Sequence, residues 1–243
     1  MRPAIIASTL VIVCSGLYIA AAETTERKDP GMTKAPEATI ADRIAEFDRI
    51  PADRRRELDA FADMIRQARH GDQPARLVFI CTHNSRRSHM SQIWAAVAAH
   101  HYGVKNIHTY SGGTESTAFN PRAVAAMERA GFGVEKTTDD MNPIYHVRFC
   151  DNRPAMTCFS KKFDGDPNPK ADFAAVMVCG DADRACPVVP GATGLFAIPF
   201  VDPKASDGTP QEAETYDERC AQIAREMLYI MSRVDDRSPA RPE

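Results

Sequence analysis

The stretch LVFICTHNSRRSHM, residues 77–90, decides the fold. An apolar run ends at Cys81, and three hydroxyls, two imidazoles, an amide and two guanidinium groups follow before the next apolar residue, Met90. A short unbroken apolar run reads as a strand buried on both faces of a parallel sheet. Met90, Ile93, Trp94 and Val97 then recur at helical spacing. The polar segment therefore joins the carboxyl end of a strand to the amino end of a helix, where open α/β sheets bind their ligands.

Outward from this point the same alternation continues. NIHTYSGG (106–113) reads as a second strand whose glycines allow close backbone approach. Asn120 and Pro121 supply an N-cap and a first-turn proline for a helix over 121–130, closed by Gly131. FAAVMVC (173–179) and LFAIPF (195–200) read as the third and fourth strands. A long helix follows, with Tyr216, Cys220, Ile223, Met227, Ile230 and Val234 on one stripe. This order predicts an α/β fold: a three-layer domain with a four-stranded parallel sheet. Within 140–170, YHVRF (145–149) alternates like a strand and the remainder is turn-rich, a candidate hairpin near the site mouth.

Upstream, Ile40, Ile44 and Phe47, then Leu58, Phe61 and Ile65, flank Pro51 and predict a helical hairpin packed on the main domain. Residues 1–22 have a short positive start, an apolar run and a small-residue close, as a signal peptide does. The expected organisation is signal peptide 1–22, flexible linker 23–37, helical extension 38–75, main α/β domain 76–236 and disordered tail 237–243. An exported, periplasmic protein is implied; left uncleaved, the leader would be an N-terminal anchor. Lys+Arg 30 against Asp+Glu 33 argues against nucleic acid or a membrane surface as partner.

Cys81 to Arg87 is Cys-x5-Arg. The amides of Thr82, His83, Asn84, Ser85 and Arg86 can wrap a tetrahedral oxyanion, and the following helix adds its unpaired N–H groups and the positive end of its dipole. Arg87 can clamp two anion oxygens, and Ser88 can donate to a Cys81 thiolate that the same field favours. Asn84 tolerates left-handed φ and suits the tight interior of the loop. Together these groups would hold an oxyanion over a nucleophilic sulfur.

CTHNSRRS, SGGTESTAFNPRAVAAM, CGDADRACP and FVDP, in this order and spacing, resemble the low-molecular-weight protein tyrosine phosphatase superfamily. Within it they are most similar to the thioredoxin-coupled arsenate reductases. The resemblance implies that Asp202 is the general acid. It also implies that Cys179 and Cys186 join Cys81 in a thiol/disulfide relay reducing arsenate to arsenite, recharged by an external thioredoxin-like protein. The alternative is a phosphatase that hydrolyses phosphotyrosine or small phosphomonoesters through a Cys81 thiophosphate.

Two departures bear on that choice. His83 and Arg86 stand where the arsenate reductases usually have glycine and cysteine, but that cysteine is outside the three-thiol relay. After Asp202-Pro203 comes KASDGT, with no aromatic residue before Tyr216 to hold a phenyl ring. Gln92 stands where some reductases carry an acidic cation ligand, and the seven histidines are scattered, so no cofactor and no metal is expected. Of the remaining cysteines, Cys220 reads as core, and Cys150 and Cys158 read either as a pair in an oxidising compartment or as unrelated thiols.

Overall fold

The computed structural model describes residues 34–69, 73–180 and 188–234. The readings of 1–22 as a leader and 237–243 as a tail, and Cys186, lie outside the described residues. A four-stranded sheet in the order β2-β1-β6-β7 forms the centre, made of β1 (Ala75–Cys81), β2 (Ile107–Gly113), β6 (Phe173–Met177) and β7 (Ala192–Ala197). All three pairings are parallel. β1 and β6 lie inside the sheet, and their side chains are buried almost throughout, so they read as unbroken apolar runs.

α3 (Arg87–His101) follows β1 and packs on β1, β2 and the long C-terminal helix α5 (Glu212–Val234). α4 (Pro121–Arg129) starts where expected: the side chain of Asn120 accepts from the Arg122 amide. The stripe expected on α5 is buried, with Trp94 and Tyr216 among the largest fully enclosed side chains. At about 25 cal/mol per Å² of apolar surface, such aromatic side chains hold α3 and α5 together beneath the loop after β1.

The expected helical hairpin is present as α1 (Lys34–Ile44) and α2 (Ala52–Ala68), both packed on α5. α1 begins inside the segment read as linker, because a proline at position 36 is tolerated in a first helical turn. Phe61 of α2 meets Phe196 of β7 at 5.2 Å between ring centroids, so the extension also covers the edge strand.

Two strand boundaries differ from expectation. β7 starts at Ala192 and ends at Ala197, yet Ile198 and Phe200 still donate to Met177 and Val178 carbonyls beyond the strand. A second, antiparallel sheet of β3 (Gly133–Lys136), β4 (Tyr145–Arg148) and β5 (Met156–Cys158) was legible only at β4. Strands of three or four residues are too short to display a period.

The ladder separates Cys150 from Cys158. Cys158 is paired with Tyr145 at the start of β4, whereas Cys150 lies beyond the end of that strand at Arg148. At about 3.3 Å per residue this offset exceeds the Cα separation a disulfide spans. Both are buried thiols.

Candidate active site

Cys81 is the last residue of β1, and the loop runs from it to Arg87, the first residue of α3. The loop is held by its carbonyls. Cys81 O accepts from Thr114 N, Thr82 O from Glu115 N, and Ser85 O from Asn120 N, at 2.8–3.1 Å. His83 O accepts from the hydroxyls of Thr117 and Ser160. Among the described residues, the N–H groups of Thr82 to Ser88 have no backbone carbonyl as acceptor. With the carbonyls of Cys81, Thr82, His83 and Ser85 committed outward, the loop's amides are left to an anion, and the N-terminus of α3 adds its dipole.

Most of the loop's side chains face away from that cradle. Thr82 Oγ1 lies 3.6 Å from Cys179 Sγ. His83 pairs with Glu115 at 3.6 Å on the exposed rim. Asn84, at φ 43°, donates to Ser88 Oγ at 2.9 Å and accepts from the Lys161 amide at 2.9 Å. Ser85 is buried. Arg86 Nε donates to Tyr216 OH at 2.9 Å, and that hydroxyl donates to Asp207 at 2.8 Å. Burial first, and the Asp207 carboxylate second, push the Tyr216 phenol up to about 12. The tyrosine therefore stays a neutral bridge.

Two contacts join residues expected at the site, Cys81 with Ser88 and Arg87 with Asp202. Ser88 Oγ is 3.1 Å from Cys81 Sγ. Arg87 donates through Nη1 to the Phe200 carbonyl at 2.9 Å and through Nη2 to Asp202 Oδ2 at 2.6 Å. Asp202 caps the short 3₁₀ turn Pro203–Ser206, its side chain accepting from the Lys204 amide, which points the carboxylate back toward the loop. Arg86 Nε is 3.9 Å from the other Asp202 oxygen.

Several supports were not legible in the sequence. Gly113 is pressed against the loop: a Cβ there would lie 2.2 Å from Glu115 O and 2.6 Å from Asn84 N. Ser160 is oriented by Asn142, whose side chain bonds both its amide and its carbonyl. Below the loop lies His89, stacked on Phe119 with centroids 4.2 Å apart and 3.3 Å from Ser111 Oγ. Burial, then the nearby Lys161 ammonium, hold His89 well below the ordinary imidazole range. Lys161 is itself lowered to about 8 by burial. Cys220 is core, as expected: it accepts from Trp94 Nε1 at 3.2 Å, and burial raises its thiol to about 12. Gln92 donates to the Thr109 carbonyl. Among the described residues no group of three His, Cys, Asp or Glu is placed to hold a metal ion, and no helix is long and apolar enough to cross a membrane.

A strand–loop–helix anion cradle with a cysteine at one end and an arginine at the other defines a class of thiolate enzymes acting on tetrahedral oxyanions. The sequence profile of the low molecular weight phosphotyrosine protein phosphatase family matches residues 76–146. An arsenate reductase of Bacillus licheniformis is 31% identical over 143 residues, covering 59% of this chain and 84% of that protein. The arsenate reductase of Bacillus subtilis is 30% identical, with the same shares covered. Among solved structures, a low-molecular-weight protein tyrosine phosphatase from T. tengcongensis is 16% identical and aligns over 65% of this chain and 98% of its own, at a TM-score of 0.45. The chain belongs to the low-molecular-weight phosphatase superfamily, on its arsenate reductase-like side, and is an enzyme of that family.

Proposed function

We propose that the protein reduces arsenate to arsenite through a relay of Cys81, Cys179 and Cys186. The observation that carries this reading is the second thiol: Cys179 Sγ is 3.6 Å from Thr82 Oγ1, against the first residue of the catalytic loop. Hydrolysis of a phosphoester has no use for a sulfur there.

The steps balance as follows. Cys81 thiolate attacks arsenic, and an oxygen leaves as water with a proton from Asp202. Cys179 thiolate then attacks Cys81 Sγ. The S–As bond breaks with its electron pair left on arsenic, releasing arsenite and a Cys81–Cys179 disulfide. Cys186 attacks Cys179, frees Cys81, and leaves a Cys179–Cys186 disulfide for an external dithiol protein of the thioredoxin type to reduce. If the leader exports the chain, that reductant is periplasmic.

Peptide mass spectrometry after a single arsenate exposure tests the relay. A Cys179–Cys186 disulfide is expected in the unmodified protein, and a Cys81–Cys179 disulfide in Cys186→Ser. If neither forms, and arsenate only competes with phosphoester hydrolysis, the protein is a phosphatase using Cys81, Arg87 and Asp202 alone.

A further inference from the structure

We propose that the helical extension ahead of the catalytic domain is part of the active-site scaffold, with Arg54 as a positioning residue for Arg87 and Asp202. The inference rests on the thiolate–oxyanion reading above. The family profile starts at residue 76, and α2 lies wholly before it.

Arg54 stands in the first turn of α2; its Nη1 donates to Glu57 Oε2 at 2.9 Å within the helix, and the rest of its guanidinium reaches two places outside α2. Nε and Nη2 donate to Glu226 Oε2 at 3.0 and 2.8 Å, and Glu226 is only 2% exposed on α5. Nη2 also donates to the Pro199 carbonyl at 3.2 Å, and the guanidinium carbon lies 5.3 Å from the centroid of the Phe200 ring. A planar cation can do both; an ammonium cannot.

Pro199 and Phe200 are not incidental neighbours. The Phe200 carbonyl receives Arg87 Nη1, and Asp202, two residues on, receives Arg87 Nη2. This segment lies beyond the end of β7, held to β6 by the amides of Ile198 and Phe200. Pro199 has no N–H to contribute. Arg54 grips the segment from its other side, through the one backbone group proline offers and the ring that follows. A shift of the chain at Pro199 and Phe200 would displace the Phe200 carbonyl that receives Arg87 and, two residues on, the Asp202 carboxylate. The extension thereby sets the direction of the anion clamp and of the proton donor.

A merely structural strap is distinguishable, because the extension has one elsewhere. Arg225 of α5 pairs with Glu46 at 3.0 Å and does not touch residues 198–202. The full chain is compared with Arg54→Met, Arg54→Lys and Arg225→Ala by two readouts. One is protection of Cys81 from iodoacetamide by inorganic phosphate. The other is turnover of p-nitrophenyl phosphate against phenyl phosphate, whose leaving group needs its proton more.

Arg54→Met is expected to weaken phosphate protection by about 10-fold, the scale of coupling through packed neighbours, and to lose more turnover on phenyl phosphate. Arg54→Lys should fall between it and the parent. Arg225→Ala should melt earlier with both readouts unchanged. The proposal is overturned if Arg54→Met behaves as Arg225→Ala does. Should Arg54→Met not fold, unchanged protection in Arg54→Lys overturns it equally. Absence of phosphate protection in the unmodified protein removes the thiolate–oxyanion reading itself, and this inference with it.

Discussion

Arg87 Nη2 donates to Asp202 Oδ2 at 2.6 Å, so the proposed anion clamp and the proposed proton donor are bound to one another. An incoming oxyanion must compete with this carboxylate for the same guanidinium. The two arginines bracketing Asp202, Arg87 and more distantly Arg86, hold it facing the loop.

Asp202→Asn should therefore separate binding from catalysis. Removing the competing charge should tighten inorganic phosphate by about 5-fold, since a partly exposed ion pair contributes on the order of 1 kcal/mol. Turnover should fall by about a hundredfold with loss of the acid. Titration calorimetry with phosphate, alongside a turnover assay, checks both; weaker phosphate binding in the variant would mean that Asp202 does not compete.

Gly113→Ala should damage the loop although it adds one methyl group. The new Cβ would meet backbone atoms, Glu115 O at 2.2 Å and Asn84 N at 2.6 Å, which have no rotamer to yield. A cost of about 1–3 kcal/mol is expected, with Cys81 alkylation no longer protected by phosphate. Denaturant unfolding and the protection assay read the two effects.

His89 makes the fold acid-sensitive. Its folded form resists protonation, through burial first and the Lys161 charge second. Below about pH 6.5 the unfolded chain takes up a proton here that the folded chain refuses. Its contribution is complete above that pH and is lost as pH falls. His89→Gln should flatten the decline in melting temperature between about pH 7 and pH 5; an unchanged slope would place the acid sensitivity elsewhere.

Cys150 and Cys158 should remain thiols under oxidation. Both are buried free thiols, and burial pushes the Cys158 thiol up to about 12. Thiol mass labelling after exposure to oxidised glutathione should find both reduced; a 150–158 linkage would contradict the register of β4 and β5.

The passage that carries the loop was legible from its residues. Cys81, the loop and Arg87 occur within one strand–loop–helix passage, and burial on both faces of a parallel sheet marks such a strand by composition alone. Asn120 and Pro121 announced α4 by local hydrogen bonding. Asp202 and Cys179 were named through resemblance, because nothing local distinguishes an acid before proline or a cysteine after a strand.

Tertiary structure decided the rest. That Cys179 lies against Thr82, that Arg86 turns to Tyr216, and that Arg54 grips Pro199 all depend on strand register and helix docking across about a hundred residues of chain or more. Period and composition state which face of an element is buried. They are silent on which distant element covers it, because apolar burial is non-directional, and only packing selects the partner.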